Sequence, residues 1–407
     1  MNRHAVAVTG VGMVTPAGVG VGATWDRLCG GDPTAAHDPS MDGLPVTISC
    51  RVSDADLAAA LDPGLAWRTD RFIRFAHAAA KEAVADAGLD PALWDGSRVA
   101  VVIGTGGSSH DTTIKACQTL EKGRLLALSP TVLPRSLPNM AAGEVGTMVG
   151  ALGPTLGITT ACASGASAIG IASMLIRSGA CDIAVAGGAD SGCNRLGSAL
   201  FWRMGALSTR VHDPAGASRP FDSERDGFVL SEGAGVLVLE RTEHARARRA
   251  REYARLTGYG FSGDAHNPTG PHPEGDGAVR AMNGALDGAG LAAGDVGHVN
   301  AHASATRMND IVEAKALRRV FATPPPVTAA KGVLGHLLGG AGAVEAVCSV
   351  LSLHHQLIPP TANLDRMDPE IDLDVVTKVP RPARLETVLS NSFGFGGQNA
   401  ALVFQRP

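Results

Sequence analysis

Residues 158–167 read ITTACASGAS. A β-branched run ends in Thr159 and Thr160, after the turn Leu152-Gly153-Pro154. Small residues then lead into AIGIASMLIRSG, an apolar helical stretch that Gly179 closes. The pattern predicts a strand turning directly into a buried helix. It places Cys162 where a helix N-terminus offers unpaired N–H groups and a partial positive charge. That setting is expected to lower the thiol pKa, and the same N–H groups can hold a developing oxyanion. A cysteine among small residues also suits simple core packing. The stretch alone leaves both readings open.

Working outward, strand-like runs alternate with helical ones. HAVAVT (4–9), RVAVVI (98–103) and DIAVA (182–186) read as strands, and DRFIRFAHAAAKEAVADAG (70–88) as a helix with Gly88 near its end. Nearly unbroken apolar strands beside helices predict an α/β fold with a covered sheet. There is an internal echo. EAVADAGL…RVAVVIGTGGSSHD in the first half resembles NGALDGAGLAAGDVGHVNAHASATRMND in the second, each a helix ending Ala-Gly-Leu, a loop, a strand and a small-residue turn. This suggests a duplicated α/β unit. SGDAHNPTGPHPEGDG (262–277) reads as a long loop, either a join between halves or an active-site loop.

Composition narrows the function classes. The chain is 45% hydrophobic and 18% charged, a globular balance, with 51 glycines and only 4% aromatics. A formal charge of −4 gives no electrostatic basis for binding nucleic acid. No apolar run reaches the length of a membrane span, and the N-terminus reads as a strand and turn, so a cytoplasmic protein is expected. Seven scattered cysteines without a C-x-x-C pair argue against a disulfide framework or structural zinc.

Three more stretches carry candidate chemistry. In VNAHASATRMND (299–310), His302 follows a strand and precedes Ser304 and Thr306, with Asn309, Asp310 and Glu313 opening a helix. In AAKGVLGHLLGGAGAVEAV (329–347), Lys331 and His336 flank a glycine turn. In LSNSFGFGGQNAALVF (389–404), Phe393 and Phe395 sit among Gly394, Gly396 and Gly397, a composition suited to a flap. Each could be mere packing. Together they supply the proton and charge partners that a nucleophilic cysteine requires.

These stretches, with AVTGVGMVTPAG near the start and RPFDSERDGFVLSEGAGVLVLE at 219–240, resemble the β-ketoacyl-acyl carrier protein synthases of the thiolase superfamily, particularly the elongating type called synthase II. The resemblance spans essentially the whole chain. It implies a thiolase-like fold of two duplicated α/β halves, residues 1–250 with the cysteine and 251–407 with the histidines, stacked as a five-layered α-β-α-β-α sandwich. It implies Cys162 as the acyl-accepting nucleophile, His302 and His336 as its partners, and Lys331 as a supporting lysine paired with Glu313. The N–H groups of Cys162 and Phe395 would form the oxyanion hole, with Phe395 as a moving gate. Ser304 and Thr306 would contact the pantetheine arm and Phe393 would line its channel. Asn300, Glu345, Ser390 and Asn391 match residues that hold a structural monovalent cation in some relatives.

The implied reaction is decarboxylative Claisen condensation of a Cys162-bound acyl chain with malonyl-acyl carrier protein, in fatty-acid or type II polyketide elongation. It needs no cofactor beyond the carrier's phosphopantetheine. The implied assembly is a homodimer, or a heterodimer with a chain-length-factor homologue. The T-R-x-N-D run at Thr306–Asp310 is similar to that of polyketide ketosynthase subunits. Two departures stand out. The family's His-Gly-Thr-x-Thr is here His302-Ala303-Ser304-Ala305-Thr306. In GTGGSSH (104–110), Gly107 falls where synthase II members commonly carry isoleucine, predicting a deeper acyl pocket that tolerates long or unusual chains. Two alternatives stand beside it: a non-catalytic chain-length partner, which normally lacks the nucleophile, and a cysteine hydrolase, which needs a histidine-orienting Asn or Asp.

Overall fold

The computed structural model describes residues 5–62, 64–107 and 110–407. His4 of the first expected strand, and Ser108 and Ser109 of GTGGSSH, lie outside the described residues.

Ten strands form the main path of one sheet. They are β1 (Val6–Thr15), β2 (Val99–Gly104), β3 (Thr155–Ile158), β4 (Ile183–Ser191), β5 (Glu232–Arg241), β6 (Ala254–Gly263), β7 (His298–Asn300), β8 (Val327–Thr328), β9 (Thr387–Gly394) and β10 (Gln398–Gln405). Their spatial order is β8-β7-β9-β10-β6-β1-β5-β4-β2-β3. Counted within each set of five, both halves read 3-2-4-5-1 from the outer edge inward. The strand senses repeat as well: the outer three are parallel, and the next two run antiparallel to their neighbours. Two residue pairs, Ala7 with Arg255 and Val8 with Ala254, join the halves. The internal echo in the sequence falls on equivalent places, a helix leading into the second strand of each half.

The helices that matter here are α1 (Arg71–Asp86), α2 (His110–Glu121), α3 (Val132–Ser136), α4 (Met140–Met148), α5 (Ser164–Arg177), α6 (Arg195–Arg203), α7 (Asp276–Ala289), α8 (Arg307–Val320) and α9 (Ala341–His355). α1 and α4 cover the outer face of the first half-sheet, and α7 with α8 beside it covers that of the second. α5 and α9 lie between the half-sheets and touch both, giving five layers, α-β-α-β-α. Covered on most sides, these two helices are built largely of small and apolar residues. They also approach closely. A Cβ at Gly165 would stand 2.7 Å from the Ala343 nitrogen, so the stretch after Cys162 must be built of small residues.

Three apolar clusters fill the interlayer spaces: Phe72, Phe75 and Val101 under α1; Ile169, Val344 and Leu402 around the central helices; Met282, Leu317 and Leu389 under α7 and α8. β3 is the outermost strand of its half, with three of its four residues exposed. Leu152, three residues before it, and Leu125, Leu126 and Leu133 are also exposed, Leu126 fully. Among the described residues no helix is long and apolar enough to cross a membrane.

The expected strands run longer than the sequence indicated, because β1 and β4 continue into the glycine-containing turns beyond them. Ser262 and Gly263 belong to β6, and Asp276 and Gly277 to α7, so the long loop is confined to 264–275.

Candidate active site

The strand-to-helix turn predicted at Cys162 is present. β3 ends at Ile158 and α5 begins at Ser164. The Ser164 hydroxyl ties the turn together: it accepts from the Thr160 N–H at 2.9 Å and lies within bonding distance of the Ala161 and Thr105 carbonyl oxygens. Ala161 pays for the tightness with φ of +49°, a left-handed conformation costing about 1–2 kcal/mol for a residue with a Cβ. The 394–397 turn lies directly against this one. A Cβ at Gly394 would be 2.5 Å from the Thr160 carbonyl oxygen and 3.1 Å from the Cys162 nitrogen, so only glycine permits the approach. As a result the backbone N–H groups of Phe395 and Cys162 lie close enough to the Cys162 sulfur to favour its thiolate.

The expectation of a lowered thiol pKa is overturned. Burial pushes the Cys162 thiol up to about 11, although Lys331 and the two N–H donors pull the other way. Desolvation of the thiolate outweighs the partial charges of one helix end.

His302 and His336 line the same cavity as Cys162, their ring centroids 5.4 Å apart and nearly perpendicular. Burial, reinforced by Lys331, holds both imidazoles well below the usual histidine range; His336 adds to the effect on His302. Both rings are therefore neutral at physiological pH. The Lys331 ammonium can only donate. It lies 3.4 Å from His302 Nδ1, which makes Nδ1 the acceptor and leaves the hydrogen on Nε2.

The pairing of Lys331 with Glu313 is also corrected. Lys331 bonds the Glu345 carboxylate and the His302 carbonyl oxygen. Glu313 instead accepts from the backbone N–H groups of His302 (2.9 Å) and Ala303 (2.7 Å) and from Asn391 Nδ2. It thereby fixes the HASAT turn, where Ala303 and Ala305 both have positive φ. A motif places Glu313 near the site but cannot say which buried cation or amide it meets. Burial pushes Glu313 and Glu345 up to about 7 each.

Four oxygen atoms close to this cluster are buried and lack partners among the described residues: Asn300 Oδ1, Glu345 Oε2, Ser390 Oγ and Asn391 Oδ1. These are the residues the resemblance implied for a monovalent cation. An all-oxygen donor set with one carboxylate fits a hard, weakly charged ion and no soft metal.

The remaining expected residues also gather here. Ser304 and Thr306, 3.0 Å apart at their hydroxyls, and Phe393, 5.7 Å from the His302 ring, line the main cavity of about 440 Å³. Gly107 does not. It lines a second cavity of about 130 Å³ that shares Cys162, Phe201, Leu338 and Phe395 with the first. Phe395 thus stands between the two spaces, packed against Phe201 at 6.3 Å.

Comparisons with known proteins give the family. The family described as "Beta-ketoacyl synthase, N-terminal domain" matches residues 3–245, and its C-terminal counterpart matches 253–365. The chain belongs to the β-ketoacyl synthase family. It is 43% identical to the 3-oxoacyl-(acyl-carrier-protein) synthase 2 of Rhizobium meliloti, over 98% of each chain. It is 42% identical to the putative polyketide beta-ketoacyl synthase 1 of Streptomyces cyaneus, over 99% of this chain and 98% of that one. Among solved structures it is similar to the ishigamide ketosynthase/chain length factor, with 35% identity and a TM-score of 0.93. It is also similar to a type II polyketide ketosynthase solved with its acyl-carrier protein and a hexaketide, with 31% identity and a TM-score of 0.92. Both superpositions cover the whole of each chain.

Within this β-ketoacyl synthase, sequence reading missed several site residues. Phe201, Phe228 and Met204 line the main cavity, and Phe228 packs edge-on against the His336 ring at 5.2 Å. Asp264 of the long loop accepts from Asn399 Nδ2 at 2.7 Å, and the Gly396 N–H donates to the Pro268 carbonyl oxygen at 2.7 Å. The long loop therefore clamps the Phe395 turn. Phe228 stood inside a quoted motif, and the abundance of Gly and Pro marked the loop. Neither signal named the contact.

Proposed function

We propose that this chain catalyses the decarboxylative condensation of an acyl group held on Cys162 with malonyl-acyl carrier protein, giving a 3-oxoacyl-acyl carrier protein in fatty-acid or polyketide chain elongation. One observation carries the reading: Cys162 stands with two N–H donors and two neutral imidazoles where an outer, hydroxyl-lined cavity meets an inner one.

The acyl carrier's pantetheine arm enters the outer cavity along Ser304 and Thr306. The Cys162 sulfur attacks the thioester carbonyl, and the N–H groups of Cys162 and Phe395 stabilise the oxyanion, an effect worth about 3–4 kcal/mol per donor in comparable sites. With a thiol near 11, only about one molecule in ten thousand is thiolate at pH 7, so the proton leaves as the sulfur attacks, to a neutral imidazole in the cavity. The carrier departs as its free thiol, and the acyl chain swings past Phe395 into the inner cavity. A malonyl carrier then loses carbon dioxide. His302, with its hydrogen on Nε2, and His336 donate to the thioester oxygen of the resulting enolate. Its α-carbon forms the new bond to the acyl carbonyl carbon, the C–S bond to Cys162 breaks, and the departing thiolate takes a proton from water entering the cavity.

A monovalent cation at Asn300, Glu345, Ser390 and Asn391 would add positive charge beside Glu345 and brace the β9 end. No other cofactor enters the reading. The carrier's phosphopantetheine brings both substrates. The chain divides in this reading into 1–250, which supplies the nucleophile, and 251–407, which supplies the histidines. A second subunit, identical or a chain-length-factor homologue, covers the exposed β3 edge and its leucines, since an uncovered apolar strand edge invites pairing. All seven cysteines are free, in keeping with a cytoplasmic setting.

Intact-mass analysis after mixing with an acyl carrier tests the proposal. Wild type should gain one acyl mass, on Cys162, and Cys162→Ala none. His302→Ala should still acylate but release little carbon dioxide from the malonyl carrier. An acyl group found on any other residue overturns the reading.

A further inference from the structure

Three cavities lie in series. The second, of about 130 Å³, shares Cys162, Phe201, Leu338 and Phe395 with the main one. It shares His110, Ser191 and Asn194 with a third, smaller cleft walled by Arg51, Asp70, Arg71 and Asp111. The shared walls give the direction: the space beside the nucleophile is aromatic and aliphatic, and its far end is polar.

Most polar groups at that far end are already engaged. Asp190 accepts the N–H groups of Gly106, Gly339 and Ser191 at 3.0 Å each. Asn194 caps α6 through Gly197. Arg71 is held by Glu232, and Arg51 contacts Asp38 and the Cys193 carbonyl oxygen. Asp111 is exposed on the outer wall of the third cleft. The two groups left that line both cavities are the His110 ring and the Ser191 hydroxyl, which are only partly buried and make no hydrogen bond among the described residues. Each can both donate and accept.

We propose that the acyl chain this enzyme elongates is hydrocarbon near its thioester and carries an uncharged oxygen function, hydroxyl or keto, toward its distal end, where His110 and Ser191 hydrogen-bond it. A saturated end would cover these two groups without replacing their bonds to water, a penalty an oxygenated chain avoids. The cleft's arginines are already matched by carboxylates, so no unbalanced positive charge awaits a terminal carboxylate. A chain with a carbonyl at every second carbon would press unpaired oxygens against Phe201 and Leu338. The proposal rests on the ketosynthase reading and names its substrate class.

The test is the rate of acyl transfer to Cys162, read by intact mass. Carrier proteins would bear saturated chains of increasing length and their matched penultimate-carbon hydroxy and keto forms, with a butanoyl carrier alongside. At the length that reaches His110, wild type should load the oxygenated forms about tenfold faster than the saturated one. His110→Leu and Ser191→Ala should each shrink that ratio, which is internal to each variant and independent of its absolute rate. Failure of wild type to load even butanoyl sinks the ketosynthase reading. Butanoyl loading with no preference for oxygen at any length overturns only the present proposal. A preference that both variants keep overturns the assignment to His110 and Ser191. If one variant does not fold, the wild-type ratio and the other variant still decide.

Discussion

Gly107→Ile puts four carbon atoms into the inner cavity. A Cβ at position 107 meets nothing within 4 Å, so the new side chain grows into open space rather than displacing the fold. The cavity holds about 130 Å³, and a branched four-carbon side chain takes much of the room that a long acyl chain needs. Each methylene kept out of an apolar wall forfeits about 0.8 kcal/mol. Four of them amount to about 3 kcal/mol, or roughly a 200-fold fall in kcat/KM for chains long enough to pass Phe395. Short primers, which stop at Cys162, should lose less than about threefold. The assay is competitive acylation with a ladder of chain lengths, reading the acyl masses on Cys162. Long chains loading as fast as in wild type would refute the reasoning, because the acyl chain would then lie somewhere other than the Gly107 cavity.

Four further outcomes follow from the charges in and around the site. With the thiol at about 11, its iodoacetamide reaction should rise about tenfold per pH unit from 7 to 9; a plateau in that range contradicts the desolvation argument. Both histidines are held below the usual range, so they remain neutral as pH falls through about 6.5. Malonyl decarboxylation should then show no loss with a midpoint near that pH, and a titration there would count against neutral donors. Potassium chloride should raise the unfolding free energy more than tetramethylammonium chloride at equal ionic strength, by about 2.7 kcal/mol at a hundredfold excess over Kd; Asn391→Leu should abolish the difference, and an equal response to both salts would remove the cation. Lys331→Met strands Glu345 without its partner and should cost about 3–5 kcal/mol in denaturant unfolding, much of it recovered by adding Glu345→Gln; additive losses would mean that the pair does not interact.

Local pattern carried a great deal here. The turn at Cys162 was legible because a β-branched run, a cysteine and an all-small helix follow one another, and only two half-sheets facing a shared helical layer demand such a sequence. The halves' common 3-2-4-5-1 order was foreshadowed by the echo of two Ala-Gly-Leu helix ends. The Lys331 partner was not legible. Glu313 and Glu345 are both buried acids close to the site, and their roles differ because α8 points one at the HASAT backbone while α9 brings the other to the ammonium. Propensity and spacing hold no information on that choice. The same is true of Phe201 and Phe228, which read as ordinary apolar residues until the fold turned them toward His336 and Phe395.

The sequence by itself singled out Cys162, His302, His336, the glycine-flanked Phe395 and the repeated α/β frame, since each signal depends on residues close together in the chain. Only the tertiary structure decided the ionisation and the pairing. It raised the thiol that a helix end alone would have lowered, kept both imidazoles neutral, and matched Lys331 to Glu345. The physical reason is that desolvation and Coulomb energies are set by what packs around a group in space, whether that neighbour is 14 residues along the chain, as for Lys331 and Glu345, or comes from the other half, as for Cys162 and Lys331.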